Sequence, residues 1–190
     1  QQRAPMRLHQ TIHRLVDKVE AVRNGGDPCH ARQLARTQNA LRLRDQCGAI
    51  LSADVWTSAD LHPGNPGLLH YGIHGVEMLY ALMGRGCEAV RCISTPAYDA
   101  VVGNWPEGRL GYVRGIRCGT GGFGFSAHYE KGHYVADIKG AAFYRELLKT
   151  VMGMFTSRDV PLDPQETREI IAFIAAARRS ADAGGASRRL

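Results

Sequence analysis

No apolar run in the 190-residue sequence exceeds the eight residues from Ile170 to Ala177, which Arg178 and Arg179 end. A helix crossing a bilayer takes about 20, so no membrane partner is expected. No charged start followed by an apolar stretch and a small-residue cleavage site appears, and secretion is not expected. The five cysteines (Cys29, Cys47, Cys87, Cys92, Cys118) are odd in number and contain no C-x-x-C pair. That argues against a disulfide framework and against a zinc ribbon, and it reads as reduced thiols in a cytoplasmic protein. Neither a G-x-S-x-G elbow nor a P-loop occurs, and there are no internal repeats.

The length suits one domain, or one domain with an appendage. With 44% hydrophobic and 22% charged residues the chain lies near the globular norm. The net charge of +6 is carried almost entirely by residues 1 to 48, where nine Arg/Lys face four acids. A basic arm can touch nucleic acid, but no helix-turn-helix, zinc finger or aromatic RNA-binding signature accompanies it. It reads as a solvated helix face in a composition of 20 Arg and 4 Lys, and no nucleic-acid partner is expected.

Ile12, Leu15, Val16 and Val19 recur at helical spacing and predict an amphipathic helix over Thr11 to Arg23, stopped by Asn24-Gly25-Gly26. Ala49 to Trp56 alternates as a strand, with Ile50, Ser52, Asp54 and Trp56 on one face. A turn-rich loop from Asp60 to Gly67 leads to a helix from Leu68 to Met83, ended by Gly84-Arg85-Gly86. Five short strands follow: Ala89 to Ser94, Ala100 to Trp105, Leu110 to Arg117, Gly122 to Tyr129 and Tyr134 to Lys139. Their short connections predict an antiparallel meander. Tyr144, Leu147, Leu148, Val151, Met152 and Phe155 form an apolar helical stripe. A last helix opens at Asp163-Pro164-Gln165-Glu166 with capping signals, buries Ile170, Ile171 and Ile174, and ends at Gly184-Gly185. The fold class is α+β: an open, mostly antiparallel β-sheet with helices packed on one face.

Gly119-Thr120-Gly121-Gly122-Phe123-Gly124 fits G-x-G-x-x-G by letters, but a dinucleotide site needs a helix after it. Phe125 to Tyr129 reads as a strand, so a glycine-rich hairpin turn is expected and no nucleotide cradle. His70, His74 and Glu77 fall at i, i+4, i+7 on the central helix and share one face. Two imidazoles and a carboxylate at that spacing suit a metal site, an acid/base histidine set by its neighbours, or an inert polar stripe. Leu69, Ile73, Val76, Tyr80 and Met83 make a separate apolar stripe. His9 and His13 read as surface histidines, Cys87 and Cys92 as packed, and His128 with His133 as solvent-facing beside a turn.

The run from His62 through His70-Tyr71-Gly72-Ile73-His74-Gly75-Val76-Glu77 resembles the substrate-domain helix of the glucose–fructose oxidoreductase / inositol dehydrogenase / rhizopine-catabolism (Gfo/Idh/MocA) family, where a Gly-rich lead-in precedes D-x-G-x-H-x-x-D. Tyr144 through Phe155, Val160-Pro161, and Glu166 through Ser180 resemble its closing two helices. Trp105-Pro106-Glu107-Gly108-Arg109-Leu110-Gly111 looks like its strand hairpin. The resemblance spans residues 49 to 190.

It implies a dihydrodipicolinate-reductase-like C-terminal domain at 49–190, whose sheet shapes a substrate site and mediates homo-oligomerisation. Residues 1–48 are then a basic helical segment and a candidate remnant of the nucleotide-domain edge. The family's catalytic histidine falls on His74. His70 stands where it carries an aspartate, and Glu77 on its later acid; the resemblance makes His70, Tyr71 and Glu77 substrate-binding. NAD or NADP is implied as cofactor but not as a ligand of this chain alone, and the substrate is a polyol or sugar. The exchange of an aspartate for His70 weakens the case for the usual polyol oxidation. In Arg3-Ala4-Pro5-Met6, Ala4 stands where the family's Glu-Lys-Pro has its catalytic lysine. The other reading, of a different class, is a non-catalytic binding or oligomerisation module, with Val101, Tyr112, Ile116 and Phe125 forming an apolar patch on the open sheet face.

Overall fold

Alternating burial in the segment after Gly48 builds the strand on which the rest of the domain is assembled. This is β1 (Ile50–Ser58), with Ala53, Val55 and Thr57 buried on one face. The computed structural model describes residues 47–65, 67–138, 143–158 and 163–190. The helix expected over Thr11 to Arg23, His9, His13, Cys29 and the basic arm lie outside the described residues. A 3-10 turn at Gly67–Leu69 precedes α1 (Ile73–Met83). Then come β2 (Ala89–Ser94), β3 (Tyr98–Asn104), β4 (Leu110–Ile116), β5 (Phe123–Tyr129) and β6 (Gly132–Ile138). The chain closes with α2 (Phe143–Ser157), α3 (Pro164–Asp182) and a short β7 (Arg188–Arg189).

The sheet has seven strands in the order β6-β5-β1-β4-β3-β2-β7. It is open and mostly antiparallel, as its alternation and short turns predict. The meander holds only for β2-β3-β4 and for the β5-β6 hairpin. Between β4 and β5 the structure inserts β1, parallel to β4 and antiparallel to β5. The glycine-rich stretch is therefore no hairpin turn: it carries the chain across the end of β1. There Ser58 N–H donates to the Gly122 carbonyl (3.0 Å) and Ala59 N–H to the Ile116 carbonyl (2.8 Å).

One face of the sheet is covered by α1 and α3. Val76, Leu79, Tyr80 and Met83 of α1 and Ile170, Phe173, Ile174 and Ala177 of α3 meet Ala53, Val55, Val90, Val101, Val113 and Phe125. Tyr80, Trp105 and Phe173 pack as three rings, with Tyr80 edge-on to both neighbours at 5.6 and 5.9 Å. The Trp105 indole N–H also donates to the Gly84 carbonyl (2.9 Å), pinning the end of α1. Asp163 caps α3, accepting from Gln165 N–H at 2.9 Å, with Pro164 in the first turn.

Several expected placements change. Val101 and Phe125 are buried beneath the helices, so only Tyr112 and Ile116 of the proposed patch lie on the open face. A register shift between Ile50 and Ser52 turns Ile50 inward, away from the face shared by Ser52, Asp54 and Trp56. Ile171 is exposed, because Phe173 and Ala177 complete the inner face of α3 instead. In α2 the apolar stripe faces solvent at Leu148, Met152 and Phe155; the side chains of Tyr144 and Leu147 lie outside the described residues. No helix among the described residues is long and apolar enough to cross a membrane.

Candidate functional site

The helix expected from Leu68 to Met83 is broken. Gly67–Leu69 forms a 3-10 turn, His70 to Gly72 turns again, and the α-helix begins at Ile73. His70 therefore precedes the helix and does not stack one turn below His74. The geometry separates the triplet that the i, i+4, i+7 spacing had joined. His74 and Glu77 remain together in the first turns of α1, whereas the His70 ring packs against His62 (5.0 Å between ring centres) and Tyr71 (6.1 Å).

His74 Nδ1 lies 3.0 Å from Glu77 Oε2, and the two side chains are 51% and 39% exposed. The hydrogen bond to Glu77 holds the imidazole pKa above its ordinary value against the opposing effect of partial burial. With Nδ1–H donating to the carboxylate, Nε2 is left as the free basic edge. Tyr71 stands edge-on to His74 at 5.3 Å. Phe123, at the start of β5, closes the group at 6.2 Å from His74 and 5.8 Å from Tyr71.

This assembly depends on close backbone approach. A Cβ on Gly75 would lie 2.5 Å from Thr57 Cγ2 and 2.9 Å from its Cβ, so the first turn of α1 rests directly on β1. The crossing from β4 to β5 then delivers Phe123 beside that same turn. Phe123 sits inside the Gly-rich run, where the sequence marks no site residue. A single aromatic among the four glycines of Gly119 to Gly124 gives only a faint hint of a folded role. His62 stands in the sequence only at the start of the lead-in. Its Nδ1 accepts from Gly64 N–H at 3.1 Å, and the turn is closed by Asn65 N–H donating to its carbonyl at 3.0 Å.

Among the described residues no group of three or more His, Cys, Asp or Glu is arranged to hold a metal ion. The Gly-rich stretch does not form a dinucleotide cradle either. Gly119 to Gly124 runs into β5, with no helix N-terminus to receive a pyrophosphate, and Gly124 lies in the strand beneath the Trp56 indole. His128 and His133 face solvent with stacked rings 6.0 Å apart, and Asp54 lies 3.9 Å from His128 Nε2. Cys87 and Cys92 are free, buried thiols, each pushed up to about 12 by burial, which makes them packing groups and not nucleophiles.

No family model matches the sequence, and no curated protein matches it. Solved structures do. The chain is similar to a probable dehydrogenase from Thermotoga maritima (16% identity, TM-score 0.69), covering 84% of this chain and 62% of that one. It is similar to GenD2 from gentamicin A biosynthesis, solved in complex with NAD (16%, TM-score 0.68, 82% and 60%). A third is scyllo-inositol dehydrogenase from Lactobacillus casei, solved with NAD(H) and scyllo-inositol (12%, TM-score 0.64, 80% and 60%). The chain thus spans about three-fifths of the length of the structures it matches. Its fold is that of the C-terminal, sheet-bearing domain of Gfo/Idh/MocA-type inositol and sugar dehydrogenases.

Proposed function

We propose that this chain is the substrate-binding and oligomerisation part of an NAD(P)-dependent oxidoreductase acting on a hydroxyl of a sugar or cyclitol. The observation that carries the reading is the 3.0 Å contact between His74 Nδ1 and Glu77. It fixes the imidazole and leaves Nε2 as the group that takes the proton of a substrate hydroxyl or returns it. Glu77 is a positioning residue that orients His74 and stabilises its charged form. Tyr71 offers a half-exposed ring and a hydroxyl beside it, and His70, one ring further out, offers a second polar contact. The nicotinamide would supply the hydride chemistry from a nucleotide-binding part of the enzyme, and the chain alone is not expected to turn over.

The test is a titration of the 190-residue chain with myo-inositol and glucose, followed by the NMR signals of the His74 ring, and a parallel titration with NADH and NADPH by nicotinamide fluorescence. The expected result is a saturable shift of His74 by a polyol, lost in His74→Ala and Tyr71→Ala, with no micromolar cofactor binding. A His74 ring unmoved by every polyol at high concentration would reject the reading.

A second reading, a non-catalytic assembly module, is favoured by the open sheet face. Trp56, Tyr112, Val102 and Ile116 lie there, on the face opposite α1 and α3. A sheet face with that content, left open by α1 and α3, suits pairing with a second copy. The two readings are compatible, and polyol binding separates the first from the second alone.

A further inference from the structure

Two further histidines stand apart from His74, on the open side of the sheet. The β5-β6 hairpin turns through Glu130 and Lys131, and His128 and His133 are register partners one pair in from the turn. The Glu130 N–H donates to the Ala49 carbonyl and the Gly122 carbonyl accepts from Ser58. Even-numbered residues of β5 therefore spend their backbone groups on β1. His128 thus meets His133 as a pair without hydrogen bonds between them, the kind in which opposite side chains stand closest, with Cα atoms about 4.5 Å apart. Both side chains are exposed, on the face opposite α1 and α3.

Their rings are 6.0 Å apart between centres and tilted by only 25°. Two imidazoles bound to one tetrahedral ion at about 2.0–2.1 Å put their ring centres about 5 Å apart. A small rotation of either exposed ring makes up the difference. The backbones beneath need not move. The turn is tied to the segment before β1 by the Glu130 and Lys131 N–H groups, which donate to the Ala49 and Cys47 carbonyls at 3.1 and 3.0 Å.

A carboxylate faces the pair from β1. Asp54 Oδ2 lies 3.9 Å from His128 Nε2 and accepts from Ser126 Oγ at 3.2 Å. Two ligands of one tetrahedral ion are about 3.4 Å apart, so Asp54 faces the site without closing it. This agrees with the absence of any ready three-ligand cluster among the described residues. From there its charge favours a cation, and it can accept a hydrogen from a water bound to that cation.

We propose that His128 and His133 form an open two-histidine site for a divalent transition-metal ion of the zinc, nickel or copper class. Imidazole nitrogen suits these ions, whereas calcium and magnesium ask for oxygen ligands. His128 binds through Nε2, the nitrogen near Asp54, and water fills the remaining positions. The ion is then exchangeable, and Asp54 is a positioning residue that holds one of its waters.

The experiment uses the metals alone on the 190-residue chain. Zinc chloride is titrated by calorimetry, and substoichiometric copper(II) is added while the histidine ring signals are followed by NMR. Copper should broaden the rings of His128 and His133 before those of the other histidines. His128→Asn and His133→Asn should each weaken zinc binding about a hundredfold, since the second imidazole binds intramolecularly. Asp54→Asn should weaken it about tenfold. All three positions are at the surface, so the metal-free melting temperature should stay that of the parent. Zinc should raise the melting temperature of the parent and leave both histidine variants unmoved, and magnesium should move none of them. Copper that broadens His62, His70 or His74 while His128 and His133 stay sharp would overturn the proposal. So would zinc affinity unchanged in both histidine variants, or a parent that binds no zinc.

Discussion

Arg117, just past the end of β4, holds both oxygens of Asp99 in β3, at 2.5 and 3.0 Å, and the two side chains are only 8% and 6% exposed. The same guanidinium donates to the carbonyls of Thr95 and Pro96, and Ser94 Oγ donates to Asp99. One ion pair thus ties the β2-β3 turn to the strand end that leads into the crossing over β1. Removing one partner leaves the other charge buried, which costs about 3 kcal/mol or more. Asp99→Ala should lower chemical-denaturation stability by that amount, and Asp99→Leu with Arg117→Met should cost less than Asp99→Ala alone. A single variant as stable as the parent would show that the clasp contributes nothing.

Two glycine-to-alanine changes in helices should have opposite signs. Propensity alone favours Ala by about 1 kcal/mol in either helix. At Gly153 of α2 no described atom beyond its own helix turn lies within 4 Å of the added Cβ, so the gain should appear as a higher melting temperature. At Gly75 the same Cβ meets Thr57 at 2.5 Å, and overpacking of about 1–3 kcal/mol outweighs the gain. Gly75→Ala should therefore melt lower and displace His74.

Glu77→Gln should return the His74 midpoint toward its ordinary value in an NMR titration, since the bond to Glu77 is the main cause of the rise. His74 is raised on folding, so the bond stabilises fully below the unfolded value of about 6.5 and fades as pH climbs through the folded one. Both side chains are well exposed, which limits the effect to about 0.5 kcal/mol or less. Parent and variant should differ in stability near about pH 5.5 and coincide near about pH 8. An unchanged His74 midpoint in the variant would remove Glu77 from its role.

A charge on the open face should dissolve any assembly built there. Val102 lies mid-sheet opposite Tyr112, and Val102→Asp places a carboxylate where two copies would meet. Light scattering should show a dimer or larger species for the parent and a monomer for the variant, with unchanged circular dichroism. A monomeric parent would rule out the face as an interface for this chain.

Much of the domain was legible in the order of residues. Strand β2 has the bounds its alternation predicts, and β3 to β6 differ only at their ends, because period-two burial is a local signal. The partner of each strand is not local. Nothing near Ala53 in sequence indicates that Gly111 and Ala127 will flank it, so the insertion of β1 leaves no local signal. In the site, His74 and Glu77 were legible because they lie within one helical turn. His70 was misplaced because helical periodicity continued past Gly72 on paper, while the backbone turned at Gly67 and His70. Phe123 and His62 reach the site through a crossover and a turn, and neither leaves a period to read.

The central position of β1 has a further consequence, for how the chain comes together. Its Ala53 pairs with Gly111, 58 residues on, and with Ala127, 74 residues on. The hairpins on either side close over a few residues, whereas β1 must be captured by both across long loops, the slower event. Until it arrives, β4 and β5 present two facing rows of unpaired backbone groups, a slot that a strand fills by complementation. A strand of the same sequence fits whichever molecule it comes from, so two partly folded copies can exchange β1 through the 59–66 connection. Concentrated refolding should then favour intertwined pairs that dilution does not readily undo.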